Sequence, residues 1–142
     1  MNAAQIIAAV PYGRQPETDV EVVARAYDLI DRYGLASRHA GYGSHTEGFS
    51  LEGGVYEALM VRDDFFSLRE APERVYHLSD AVFQLLAAAL GKPGLKPGKA
   101  QTVVIETSYA WATESRYGTG RTQALELLST VFAELAESAV AA

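Results

Sequence analysis

Apolar residues recur at helical spacing in four stretches of the chain. The first follows a T-x-x-E capping box at Thr18–Glu21 and stops at Gly34, a residue type that commonly ends helices, which predicts a helix over 19–33. The same spacing predicts three further helices, over 51–62, 69–90 and 121–138. The residues expected to form the core on their apolar faces are Val23, Ile30, Val55, Leu59, Val82, Leu85, Leu128 and Phe132.

Residues 102–111, T-V-V-I-E-T-S-Y-A-W, are ambiguous in their pattern. Their β-branched content and alternation are typical of a strand. A single strand needs a partner, however, and only residues 5–10 could supply one. The pattern favours a helix or irregular packing and leaves open one short strand near 102–109.

Glycine and proline mark the connections between these elements, as in the glycine-rich stretch 35–50 and the doubled K-P-G of 91–99. The predicted fold is mainly α, a compact single-domain bundle of about four principal helices with Gly/Pro-rich connections. The helical domain is expected to span 18–138. A partly irregular N-terminal segment, 1–17, precedes it, and a C-terminal tail, 139–142, follows it.

The composition of the 142 residues is that of one globular domain, with 49% hydrophobic and 21% charged residues. The absence of cysteine excludes disulfides, zinc–thiolate sites, iron–sulfur clusters and thiol catalysis. No apolar run approaches 18 residues, and no Lys or Arg precedes the short apolar run near the N-terminus. These patterns predict a cytoplasmic protein without a membrane partner.

The formal net charge of −6 argues against general nucleic-acid binding, which needs a basic surface. All three lysines, Lys92, Lys96 and Lys99, fall within one connection, where an exposed soluble loop is the simplest interpretation. Arginine supplies every other positive charge, and alanine is abundant. That bias is typical of a GC-rich bacterial or phage genome.

The strongest candidate site runs from Trp111 through a glycine-broken loop into the last helix. Gly118, Gly120, Arg121 and Thr122 stand where a helix presents unpaired N–H groups and the positive end of its dipole. Such a start can hold an anion or a partner's carboxylate. Arg121 stands where a P-loop has its lysine, and the first P-loop glycine is missing, so nucleotide hydrolysis is rejected.

Histidines and tyrosines near loops form the remaining candidates. His39, His45 and Glu47 share one loop, but without cysteine or an H-E-x-x-H motif they are expected to be solvated side chains and not metal ligands. Tyr42 and Tyr117 are loop tyrosines of the kind that suits a binding surface, since tyrosine combines apolar area with a hydroxyl. No cofactor and no catalytic residue are predicted.

Three segments occur in the order seen in a known family: A-R-A-Y-D-L-I-D-R-Y-G-L, F-S-L-E-G-G-V-Y-E-A-L and W-A-T-E-S-R-Y-G-T-G-R-T-Q-A-L-E-L-L. The chain thus resembles, over roughly 20–135, short actinobacterial and actinophage proteins known only as a domain of unknown function. That family has Trp-Asn-Asp where this chain has Trp111-Ala112-Thr113. The resemblance implies a compact helical fold and no particular chemistry.

The predicted function is that of a small non-enzymatic binding or regulatory module that acts on another protein, with a second copy of the chain as another possible partner. One alternative is a small-molecule-binding protein or enzyme that uses the region Trp111–Thr122 with the loop His39–Glu47. A second alternative is a nucleic-acid accessory protein that uses the lysine-bearing connection.

Overall fold

The computed structural model describes residues 2–60 and 72–141 of the chain. The mainly α, compact fold is confirmed for these residues. A 3₁₀ turn at Arg38–Ala40 and a two-stranded antiparallel sheet, β1 (Gly43–Ser44) and β2 (Gly48–Phe49), lie between the second and third helices. The helices are α1 (Ala3–Ala8), α2 (Asp19–Tyr33), α3 (Leu51–Ala58), α4 (Pro72–Ala89), α5 (Pro97–Trp111) and α6 (Thr119–Ala141).

Helix α2 is the centre of the bundle and packs most extensively against α3 and α6. It begins where the capping box predicts, since Thr18 Oγ1 accepts a hydrogen bond from the Glu21 N–H at 3.3 Å. Helices α4 and α5 pack against each other beside this group. The largest fully buried side chains, drawn from α1 to α6, include Ile6, Ile30, Val55, Phe83, Leu86, Val104 and Leu128.

Helix α5 resolves the ambiguity at 102–109, and the possibility of a strand there is wrong. Pro97 occupies the first turn, a position that tolerates proline because that N–H needs no partner. The Thr102 and Thr107 hydroxyls donate to carbonyls one turn earlier, at 3.0 and 2.7 Å. Val104 and Ser108, four residues apart, are buried on one face, so helical spacing decides over β propensity.

Some predicted boundaries shift. Helix α6 begins two residues earlier than predicted and runs to Ala141, so the expected tail is helical over 139–141. Helix α3 ends at Ala58 instead of 62, and its C-cap is Leu59. Residues 61–62 of that prediction, and 69–71 at the start of the next, lie outside the described residues. No helix in the described part of the chain is long and apolar enough to cross a membrane.

The predicted core is confirmed except at one position on α4. Leu85 is only half-buried, whereas its neighbour Leu86 and the nearby Phe83 are fully buried. The buried face of α4 is therefore centred about one residue away from the predicted stripe, a rotation of roughly 100° about the helix axis. The error arises because apolar residues surround this part of the helix, so spacing alone does not select a face.

The stretch 35–50, predicted as a loop, folds back onto the end of α2. The Phe49 N–H donates to the Gly34 carbonyl at 3.0 Å, and the Ala36 N–H donates to the Phe49 carbonyl at 3.1 Å. Phe49 and Leu35 are both buried at this junction. The small sheet thereby holds the C-terminal end of α2 next to the connection between α5 and α6.

Candidate functional site

The connection between α5 and α6 lies directly against the chain that leaves α2. The Leu35 N–H donates to the Arg116 carbonyl at 2.8 Å. Gly34 adopts φ 87°, and a Cβ placed on it would lie 2.5 Å from the Arg116 carbonyl oxygen. Glycine is needed at this position both for its backbone conformation and for the close approach of the two chain segments.

Arg121 is turned towards the C-terminal end of α2. Its Nε and Nη2 donate to the Asp31 carbonyl oxygen at 3.2 and 2.9 Å, and Nη2 also pairs with the Asp31 carboxylate. The last carbonyls of a helix lack intrahelical partners, and a cation there interacts favourably with the helix dipole. An external anion at the start of α6 would therefore compete with Asp31 for this guanidinium.

Tyr117 contacts the same helix end through its hydroxyl. The hydroxyl donates to the Arg32 carbonyl oxygen at 3.1 Å, while 51% of the residue surface stays exposed. The guanidinium carbons of Arg116 and Arg121 lie 5.0 and 6.0 Å from the centre of its ring, within cation–π range. The ring is thus fixed at one end and faces solvent between two cations.

The two site glycines serve packing and the helix start. Gly120 is buried, and a Cβ built on it would overlap the Trp111 carbonyl oxygen. The Gly118 carbonyl accepts a 3.5 Å hydrogen bond from the Thr122 N–H, which closes the first turn of α6. Trp111 itself is half-buried against the core at the end of α5. Thr122 is exposed.

Tyr12 and Arg32 extend this region, and the sequence pattern pointed to neither residue. The Tyr12 hydroxyl lies 3.2 Å from Asp28 Oδ2 and 3.1 Å from Arg32 Nη2, and Arg32 Nε pairs with Asp28 Oδ1 at 3.1 Å. Asp28 is only 5% exposed, and its buried carboxylate is compensated by the Tyr12 hydroxyl and the Arg32 guanidinium. The Tyr12 hydroxyl contacts the Arg32 guanidinium and the Tyr117 hydroxyl contacts the Arg32 carbonyl, so both tyrosines lie near the C-terminal end of α2.

We call this surface the α2 C-terminal surface and define it by four residues, Tyr12, Arg32, Arg116 and Tyr117. Of these four residues the sequence analysis named only Tyr117 as a site residue. Tyr12 lies in P-Y-G-R-Q-P, whose prolines and glycine indicate a break in regular structure, and Arg32 and Arg116 carry no motif. No local signal connects these residues, since Tyr12 and Arg32 are 20 positions apart and Tyr117 and Arg32 are 85 apart.

Tyr42 lies in a different environment from the other predicted site residues. Its ring centre is 5.5 Å from that of Tyr56 on α3, and its carbonyl accepts a hydrogen bond from the Ser50 N–H at 3.1 Å. Tyr56 in turn accepts a hydrogen bond from Gln101, which also binds the buried Glu52. Tyr42 therefore packs at the start of α3, whereas Tyr117 and Arg121 contact α2.

The two loop histidines have different surroundings. His45 is half-buried, with its ring centre 4.4 Å from Tyr33 and 5.3 Å from Phe49, so the prediction that it is a solvated side chain is wrong. His39 and Glu47 are exposed, as predicted. Across residues 2–60 and 72–141, no three His, Cys, Asp or Glu side chains form a group that could hold a metal ion.

An open depression of about 560 Å³ lies between α2 and α6. Arg121 and Thr122 line it at one end, and Trp111 is not part of its lining. Tyr27 lines it from α2, a residue that the helical pattern could not distinguish from the core. The remaining lining residues come from α6 and are Leu125, Glu126, Ser129 and Thr130.

Three tyrosines make the free energy of unfolding depend on pH in the alkaline range. Burial, as the largest cause, raises the pKa of Tyr12, Tyr27 and Tyr56 above the ordinary value of 10.0. The unfolded chain therefore releases these protons first, and the folded state binds more protons above that pH. The stability that these tyrosines contribute is fully present below the tyrosine pKa of the unfolded chain. It is lost as the pH rises through their higher pKa values in the folded state.

We expect the free energy of unfolding, measured by urea titration, to fall from about pH 9.5 upward. Tyr27→Phe should reduce this fall, because it removes one of the three shifted groups. An equal fall in the variant and the original chain would contradict the assignment for Tyr27.

The chain matches no protein-family model, and comparisons with curated proteins and with solved structures find no match either. The resemblance to the actinobacterial and actinophage family therefore stays a prediction, and function has to be argued from the geometry of the site.

Proposed function

We propose that the protein is a small non-enzymatic binding module that acts on another protein through its α2 C-terminal surface. The observation that carries this proposal is the half-exposed ring of Tyr117, whose hydroxyl is bonded to the Arg32 carbonyl. A ring held in this way keeps one orientation, so contact with a partner costs little conformational entropy.

The composition of the surface supports the same proposal. Tyrosine and arginine are enriched among the residues that dominate protein–protein binding energy. Tyr12 is 56% exposed and, like Tyr117, has its hydroxyl bonded within the chain. The Arg32 and Arg116 guanidinium groups lie 5.9 and 5.0 Å from the centres of these two rings, which restricts the arginine side chains as well.

A capture experiment with matched variants tests the proposal. The immobilised chain and its Tyr117→Ala variant are exposed to an extract of the source organism, and retained proteins are quantified by mass spectrometry. We expect retention of at least one protein to fall about tenfold or more in the variant, as for a binding hot spot. The variant should stay folded, because the lost hydrogen bond contributes only about 1 kcal/mol.

The control is Tyr76→Ala, which removes a tyrosine that is 61% exposed on α4, outside this surface. This variant should retain the same proteins as the original chain. If no protein is specifically retained, or if Tyr117→Ala retains every protein as well as Tyr76→Ala does, the proposal is wrong.

A further inference from the structure

The depression between α2 and α6 is lined by a tyrosine whose hydroxyl has no hydrogen-bond partner among residues 2–60 and 72–141. Tyr27 is only 8% exposed, and no described residue forms a hydrogen bond with its hydroxyl. Of the described side chains, only Gln15 has a fully buried polar atom without a partner. The Tyr27 hydroxyl is therefore accessible to solvent, and Tyr27 is one of the residues that line the depression.

An unused hydroxyl on an otherwise buried tyrosine is unusual, because buried tyrosines normally place this group against a partner. The ordinary pKa of tyrosine is 10.0, and burial raises that of Tyr27 further, so the hydroxyl is protonated at neutral pH and can donate a hydrogen bond. A ligand that satisfies this group therefore brings an acceptor to the depression.

Arg121 offers a second donor to the same space. Its Nε and Nη2 are committed to Asp31, whereas its Nη1 has no partner among the described residues. The side chain is 25% exposed and lines the depression together with Tyr27. A hydroxyl and a guanidinium N–H together suit a carboxylate, because a carboxylate accepts several hydrogen bonds. The charge of Arg121 is shared with Asp31, whose carboxylate already pairs with its Nη2.

Glu126 restricts which second functional group the ligand can have. It lines the depression five residues further along α6, which is about 7.5 Å along the helix axis. A carboxylate there repels a second negative charge on the ligand and accepts a hydrogen bond from an ammonium or hydroxyl group. The volume of about 560 Å³ is within the range of small-molecule sites.

We propose that this depression binds a small amino- or hydroxy-carboxylate. The Tyr27 hydroxyl and the Arg121 guanidinium donate hydrogen bonds to its carboxylate, and the Glu126 carboxylate accepts one from its amino or hydroxyl group. The inference does not rest on the proposed function, since these three residues are not among the four that define the α2 C-terminal surface, and Arg121 adjoins that surface through the Tyr117 ring.

Three small probes test this site by NMR titration of the isotopically labelled chain: 4-aminobutyrate, butyrate and succinate. We expect 4-aminobutyrate to shift the resonances of residues around the depression with a dissociation constant of about a millimolar, as suits so small a ligand. Butyrate, which lacks the donor group, should bind more weakly. Succinate, with its second negative charge facing Glu126, should bind most weakly.

Variants then assign the roles of the residues. Tyr27→Phe should weaken 4-aminobutyrate about tenfold, as for one lost hydrogen bond to a charged group, and it removes no hydrogen bond within the described chain. Tyr76→Phe deletes the same atom from an exposed residue of α4 and should bind as the original does. Glu126→Gln should weaken 4-aminobutyrate and strengthen succinate. Absence of shifts with all three probes, or unchanged affinity in Tyr27→Phe, would overturn the inference.

Discussion

Replacing Gly120 by alanine is expected to destabilise the fold by about 3 kcal/mol or more, towards the upper end of overpacking effects. The new Cβ would overlap the Trp111 carbonyl oxygen and lie 3.1 Å from Leu35 Cδ2. A carbonyl oxygen belongs to the main chain and cannot rotate away as a flexible side chain does. The end of α5 and the start of α6 would have to separate, which is measured by urea or thermal unfolding.

Gly98→Ala is the matched control for this variant. Gly98 occupies the same position in the first turn of α5 that Gly120 occupies in α6, but a Cβ built on it meets no atom within 4 Å. Alanine has the higher helix propensity, so this change should be neutral or stabilise the fold by up to about 1 kcal/mol. Equal changes in the free energy of unfolding for the two substitutions would show that Gly120 does not lie as close to the Trp111 carbonyl as described.

Leu86→Ala is expected to cost about 2–5 kcal/mol of folding free energy, the range for truncating a fully buried leucine. Leu86 is 0% exposed on α4, the helix that packs along α5 and also contacts α2 and α6. Truncation removes the transfer energy of three carbon atoms and leaves a cavity that rigid neighbouring helices cannot close. The free energy of unfolding from denaturant titration measures this loss.

Leu85→Ala, one position earlier, deletes the same atoms from a half-buried side chain. Its cost should be smaller, because solvent can fill part of the space that is vacated. The pair distinguishes the two orientations of α4, since the sequence pattern placed Leu85 in the core. A larger loss for Leu85→Ala than for Leu86→Ala would show that the orientation described above is wrong.

Local signals were sufficient to predict most of the helices. The capping box at Thr18 and the glycine at Gly34 define both ends of α2 within the helix sequence itself. Helix α5 lacked such a clear signal, since β-branched residues dominate its centre and Lys96, its N-cap, makes no capping hydrogen bond with its side chain. Its helical state depends on packing against α4, which no local pattern expresses.

The sequence singled out the stretch Trp111–Thr122 but could not predict the contacts that its residues make. Those contacts involve distant parts of the chain. Arg121 bonds to Asp31, 90 positions earlier, and Gly120 is needed for close packing rather than for binding an anion through its N–H. Tyr27 looked like one more residue of an apolar stripe.

The three segments that carry the family resemblance meet around the end of α2. Gly34, from the first segment, contacts the Arg116 main chain from the third. Phe49, from the second, donates its N–H to the Gly34 carbonyl, and its own carbonyl accepts a hydrogen bond from the Ala36 N–H. These motifs therefore have a packing role that holds the α2 C-terminal surface in place.

Hydrogen exchange of the chain, alone and with the protein captured by it, tests whether the α2 C-terminal surface is the binding surface. We expect slower exchange on binding in peptides that cover Tyr12, the end of α2 at 30–34 and the connection at 114–121. Peptides from α4 around Tyr76 should exchange at unchanged rates. Slower exchange confined to the lysine-bearing connection at 91–99, with no change at 30–34 and 114–121, would show that binding takes place elsewhere on the protein.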